Sequence, residues 1–241
     1  MRVLQVSDGY PPATGGLERV VESLSHQLLQ RGLPTAVSTL SRPGAPSFEN
    51  CDCLPVHRLD GLTRHLRRFA TDPGHYFHPT CPDPVLVSRL GELVDSFQPD
   101  IVHAHGWILN SCLALRLPEH TALVTTLHDY GLVCSKKTAI HRDIDVACSG
   151  PGVRKCLACA GDYYGGLKGS ALALGLHASR RNLSRVATFL PISSAVQTRC
   201  LPGVDPVRIC AIPSFIDDAV CEPSYRAPRP SCLPSRAFIA F

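Results

Sequence analysis

No run of apolar residues approaches the roughly 20 needed to cross a bilayer as a helix. The opening MRVLQVSDGYPP carries too short an apolar stretch for a secretory signal and passes straight into a Gly/Pro loop. The chain is therefore expected to be cytoplasmic, with peripheral contact at the inner face of the membrane as its one membrane role. Charge is also scarce. Charged residues make up 18% of the chain and the formal net charge is +4. That surplus is too small to imply a nucleic-acid partner. The one basic cluster, Arg64-His65-Leu66-Arg67-Arg68, reads as a solvated helix face or as a contact to phosphate or anionic lipid. Two nucleotide signatures are missing as well. Neither G-x-G-x-x-G nor G-x-x-x-x-G-K-[ST] follows the first strand, which argues against a dinucleotide oxidoreductase or epimerase and against a P-loop ATPase.

Hydrophobic residues reach 44%, enough for a sizeable core, and 241 residues suit one large α/β domain. Residues 2–7 read as a buried strand. Leu17, Val20, Val21, Leu24 and Leu28 mark one face of a helix that Gly32 ends. Residues 34–40 predict a second strand. Residues 41–82 are irregular and predict loops with one short basic helix around 61–70. Asp83 and Pro84 predict an N-cap and first turn, with Val85, Leu86, Leu90, Leu93, Val94 and Phe97 on the apolar face. IVHAH at 101–105 and TALVTTL at 121–127 predict strands, and 107–117 a helix between them. A helix over 166–184, a strand over 186–192, a cap at Ser193 or Ser194 and a last strand over 206–213 complete the set.

Strand alternating with helix is the plan of a Rossmann-like, doubly wound, mostly parallel α/β sheet. In that plan function gathers in the loops at the carboxyl ends of the strands. Those ends carry Asp8–Gly16, His105, His128–Asp129 and Ser193–Ser194. Gly15 and Gly16 stand where backbone N–H groups and a helix dipole can hold an anion, though a glycine pair also serves a plain tight turn. His103 and His105 alternate on one strand and so share a face. No carboxylate stands near them in sequence to complete a metal site. His103 reads as a packed histidine, and His105 and His128 as site residues able to hydrogen-bond a sugar or phosphate. A buried structural role is the alternative for His128.

The stretches PPATGGLERVV, DIVHAHGW, TTLHDYGLVC and PISSAV, in this order and spacing, resemble the N-terminal domain of the family-4 glycosyltransferases of GT-B fold. The resemblance runs from Val3 to about Pro213. It implies a Rossmann-like first domain over 1–213, a linker over 214–236 and the first strand of a truncated second domain at 237–241. It also implies a retaining transferase that moves a sugar from a nucleotide-sugar donor to a glycan or lipid-linked acceptor, with cell-envelope polysaccharide or glycolipid synthesis as the expected setting and no catalytic metal. On this resemblance Gly16 contacts the donor diphosphate, His128 approaches the transferred sugar as the catalytic residue, and Asp8 and Tyr10 belong to the acceptor-side loop. The missing C-terminal Rossmann-like domain would hold the nucleotide. The other reading is a non-catalytic acceptor- or partner-binding module.

Four of the twelve cysteines are grouped: Cys134-x13-Cys148-x7-Cys156-x2-Cys159. The CLAC pair has ordinary metal-ligand spacing, and Cys134 and Cys148 could complete a tetrahedral site. The group lies in an insertion at about 130–165 that resembles a bacterial form of the family, where CSGPG matches a Cys-x-Gly-Pro element. Structural zinc, free packed thiols, and a disulfide or iron–sulfur centre are the three readings.

Overall fold

The computed structural model describes residues 1–62, 78–141 and 146–215. The basic segment around 64–68, most of the expected linker and the expected strand at 237–241 lie outside these. Among the described residues seven strands form one sheet, β1 (Val3–Ser7), β2 (Thr35–Leu40), β3 (Phe48–Cys51), β4 (Leu54–Leu59), β5 (Ile101–His105), β6 (Ala122–Leu127) and β7 (Thr188–Pro191). Their order is β3-β4-β2-β1-β5-β6-β7. All pairings are parallel except β3 with β4. The chain is thus an α/β domain with a mixed, largely parallel sheet flanked by helices, the Rossmann-like plan expected of half a GT-B fold. The order reverses between β1 and β5, where Ser7 pairs with His105. A crevice opens at such a reversal.

Side-chain alternation divides the sheet faces. Leu4 and Val6 of β1, Val102 and Ala104 of β5, and Leu123 of β6 enter one core with Leu86, Leu90 and Val94 of α2 (Pro84–Phe97) and Val196 of α6 (Ser194–Cys200). The intervening residues of β1 and β5 are Gln5, Ser7, His103 and His105, all buried. The main core therefore packs on one face, and the opposite face carries a polar cluster. A smaller core joins Val21 of α1 (Gly16–Gln30) to Tyr10, Val37, Leu54 and Val56.

Caps follow the sequence closely. Asp83 accepts hydrogen bonds from the N–H groups of Val85 and Leu86 at the start of α2. Ser193, rather than Ser194, caps α6 by accepting from Val196. Four elements differ from expectation. Residues 48–59, read as loop, form the β3–β4 hairpin. Its two turn residues, Asp52 and Cys53, have φ of 49° and 67°. A two-residue primed turn needs positive φ at both positions and usually advertises itself with Asn-Gly. The helix expected over 107–117 is only the single turn α3 (Leu109–Cys112). Inside the cysteine insertion lies a full helix, α4 (Val153–Tyr164), antedating α5 (Gly166–Ser179), which passes into a 3-10 turn at Arg180–Arg185. Gly165, with φ of 86°, breaks the chain between them. A Cβ at Gly169 would overlap the Ala160 carbonyl, so α4 and α5 touch through their backbones there.

The last expected strand, 206–213, is not formed. Pro206–Arg208 is a 3-10 turn, and a single parallel bridge joins Ile209 to Phe189. Cys210 and Ile212 still donate backbone hydrogen bonds to Phe189 and Pro191, so this segment follows the β7 edge without becoming a strand. Among the described residues no helix is long and apolar enough to cross a membrane.

Candidate functional site

A cavity of about 430 Å³ opens at the carboxyl ends of β5 and β6. Leu17 of the first turn of α1, Trp107, Asn110, His128, Asp129 and Lys137 are in its wall. The start of α1 and His128 therefore share one space. Their sequence separation is bridged because β1 lies two strands from β6, with only β5 between them.

Asp8 anchors the loop after β5. Its two carboxylate oxygens accept the N–H groups of Trp107 and Ile108, both at 2.7 Å. Its own N–H donates to the carbonyl of His105 at 3.1 Å. Gly106 between them has φ of 87°, and a Cβ there would overlap the Asp8 carboxylate. Only glycine suits that position. Burial raises the Asp8 pKa, against the lowering effects of Lys137, His78 and the two backbone N–H groups. Asp8 thus holds the loop after β5.

His128 is placed by a buried chain. Its Nε2 lies 3.0 Å from His105 Nδ1, and His105 Nε2 lies 2.7 Å from Gln5 Oε1. With Gln5 Oε1 as the acceptor, His105 carries its proton on Nε2 and offers the lone pair of Nδ1. His128 then donates from Nε2 and presents Nδ1 as an acceptor. His103 lies against His105 with ring centroids 4.1 Å apart and planes tilted by 41°, and its Nε2 is 2.8 Å from Thr126 Oγ1. The shared face expected of the two histidines on β5 is what brings these rings together. Burial, then the nearby His128, pushes the His103 pKa down to about 3. Burial first and Lys137 next push His128 down to about 4, against the opposing effect of Asp129. His105 falls well below its ordinary value by burial and by the two neighbouring rings. All three are neutral at neutral pH.

Lys137 enters the same cavity from the cysteine insertion. Its Nζ makes ion pairs with Asp129 at 3.9 Å and Asp8 at 4.0 Å, and lies 4.6 Å from the centroid of the Trp107 ring. Trp107 Nε1–H donates to the Gly131 carbonyl at 2.9 Å. Asp129 also accepts the Gly131 N–H at 2.6 Å, which closes the turn after β6.

Gly15 is the N-cap of α1 and Gly16 its first residue. A Cβ at Gly16 would meet nothing within 4 Å, so open space lies beside it. Glu18 folds its carboxylate back against Gly9 and Gly15, over this helix end. Tyr10 is buried, 3% exposed, and its hydroxyl has no hydrogen-bond partner. It packs in the smaller core and is not in the wall of the His128 cavity. Ser193 is engaged as a helix cap. Among the described residues, no group of three or more His, Cys, Asp or Glu side chains is arranged to hold a metal ion. The four grouped cysteines nevertheless line one cavity.

Sequence reasoning missed Gln5, Glu18, Thr126 and Lys137. Gln5 had a signal, being the one polar residue inside VLQV. Glu18 stands two residues after the glycine pair. Lys137 had none, because only the folded loop carries it to the site.

Residues 14–220 match the model of Glycosyltransferase Family 4. The chain belongs to the family-4 glycosyltransferases. Solved structures agree on the fold. A sucrose-phosphate synthase from Thermosynechococcus elongatus superposes with a TM-score of 0.51 at 12% identity, over 88% of each chain. The catalytic domain of starch synthase IV from Arabidopsis thaliana, bound to ADP and acarbose, gives 0.52 at 14% identity. That match covers 93% of this chain and 54% of the synthase, so the present chain spans about half its length. At such identities the likeness shows the fold alone. A comparison with curated protein sequences finds no match.

Proposed function

We infer that this glycosyltransferase domain forms one wall of a transfer site for a nucleotide-sugar donor and a glycan or lipid-linked acceptor. The observation that carries the reading is the shared cavity of the α1 N-terminus and His128. The donor diphosphate lies at Gly16, where the backbone is uncovered and the helix dipole favours negative charge. The transferred sugar then reaches His128. Because that ring is neutral and its Nε2 is engaged by His105, it meets a sugar hydroxyl through Nδ1. Residues 1–213 constitute this wall, and the nucleotide base and ribose are held by the second Rossmann-like half of a GT-B fold. The reaction retains anomeric configuration and needs no catalytic metal. The leaving diphosphate is met by protein dipoles and cations. The setting is cell-envelope polysaccharide or glycolipid synthesis at the inner face of the membrane.

The test uses Gly16→Leu. A Cβ at this position meets nothing within 4 Å, so the fold tolerates it while the added side chain covers the helix end. Binding of UDP-glucose, GDP-mannose, ADP-glucose and inorganic pyrophosphate is followed by amide chemical shifts. The expected result is shifts at Gly16 and Leu17 with at least one donor in the parent, and their loss in the variant at unchanged melting temperature. Equal binding by both proteins overturns the assignment.

A further inference from the structure

The cysteine cavity is not used by any step above. Four sulfur-bearing side chains reach it from three segments. Cys134 comes from the turn after β6, Cys148 from beside the short antiparallel bridge of Ile140 with Ala147, and Cys156 and Cys159 from α4. Cys156 and Cys159 are three residues apart on a helix, so they lie on one face. The Cys148 N–H donates to the Ala139 carbonyl at 2.8 Å, which ties that residue across the bridge. Gly152 N–H points at Cys156 Sγ, 3.4 Å away. Such an N–H to sulfur contact supports a thiolate.

The charge of the wall points the same way. Lys136, Lys155 and Arg199 line the cavity, and no carboxylate does among the described residues. Lys155 reaches Ser149 Oγ at 2.9 Å, Lys136 reaches the His141 carbonyl at 3.3 Å, and Arg199 binds the Cys148 carbonyl. A packed apolar thiol has no need of three cations. Four thiolates around one divalent ion carry a net double negative charge, and these cations offset it.

We propose that Cys134, Cys148, Cys156 and Cys159 bind one zinc ion as a closed four-thiolate site that fixes the loop carrying Lys137. Four S–H bonds break, four Zn–S bonds form, and four protons leave to solvent. The four sulfurs line one open cavity and must turn inward to bind, since among the described residues they are not arranged around an ion. No disulfide joins any of the four. The link to the transfer site is short. Lys137 N–H donates to the Cys134 carbonyl at 3.0 Å, and its own carbonyl accepts from Tyr130 at 3.3 Å. Its φ of 64° is a left-handed conformation that surrounding structure must hold. Pinning Cys134 therefore pins Lys137 against Asp8, Asp129 and Trp107. This rests on the transfer-site reading only for its consequence, because the ion itself is tested without reference to sugar transfer.

The experiment is metal analysis of protein purified without added metal, with cobalt substitution. One zinc per chain and tetrahedral cobalt–thiolate absorption are expected. Cys156→Ser and Cys159→Ser should lose the ion, and exposed Cys210→Ser should keep it. Should the first two variants not fold, native thiol titration of the parent decides: chelation should make four further thiols reactive. Trp107 is the single tryptophan, so its fluorescence should change on chelation, and this change should vanish in Lys137→Ala. Absence of both zinc and cobalt uptake, disulfide-linked cysteines in the native protein, or equal loss in Cys210→Ser overturns the site. An intact site whose removal leaves Trp107 emission unaltered overturns the link to Lys137.

Discussion

Mild acid should undo this fold through its buried histidines. His103 and His128 have pKa values of about 3 and about 4 in the folded chain, chiefly from burial. An exposed histidine titrates near 6.5. At pH 5 both rings are neutral when folded and charged when unfolded. The unfolded chain takes up protons that the folded chain refuses, so stability is lost as pH falls below 6.5. Between pH 7 and pH 5 each such group shifts the balance by about 2 kcal/mol, or about 4 kcal/mol for the pair. His105 and His78, both held down by burial, act in the same direction. Asp8 acts in the opposite direction, because burial raises its pKa and its proton uptake favours the fold. Domains of this kind hold only about 5–15 kcal/mol in total. The assay is urea unfolding followed by circular dichroism at pH 7, 6 and 5 and constant salt. The midpoint should fall steeply across the series. His103→Gln, which keeps a polar group near Thr126, should lessen the loss between pH 7 and pH 5 by about 2 kcal/mol. A midpoint that is flat with pH, or a variant with the same pH slope as the parent, refutes the reasoning.

Asp8→Ala should cost about 3 kcal/mol, because two buried N–H groups lose their acceptor together, and urea unfolding at pH 7 reads it. Gly169→Ala should lower stability by about 1–3 kcal/mol by forcing α4 and α5 apart, while Gly161→Ala, whose Cβ would meet only ordinary contact, should gain up to about 1 kcal/mol from helix propensity. Calorimetric melting of the two variants should therefore move in opposite directions. Glu18→Gln removes a negative charge over the α1 N-terminus and should tighten pyrophosphate binding by about 2- to 5-fold; unchanged or weaker binding by titration calorimetry would place the anion elsewhere.

Much of the fold was legible because its signals are local. The apolar face of α2 and its Asp83-Pro84 start are written in consecutive residues. The hairpin of β3 and β4 was not legible, because Asp52-Cys53 adopts a turn that usually requires Asn-Gly. The helix α4 was hidden by the cysteines and by glycines on both flanks, at Gly152 and Gly165. The segment 206–213 has strand composition, yet Pro206 begins a 3-10 turn and only Ile209 makes a bridge to β7.

The site divides along the same line. The strand ends, the glycine pair and the order of the motifs are properties of the sequence, since alternating strand and helix place those ends at one edge of a parallel sheet. The partners of those residues are not. Tyr10 and Asp8 are near neighbours in a single loop, yet packing sends one hydroxyl into the core and aims one carboxylate at the backbone of Trp107 and Ile108. Gln5 and His128 are joined through His105 only because β1, β5 and β6 lie side by side in register. Lys137 arrives by a loop closure that no periodicity records. Local sequence determined which elements form and where each one ends. Only the tertiary structure decided which polar groups meet, because hydrogen bonds and ion pairs between distant residues depend on how the elements pack.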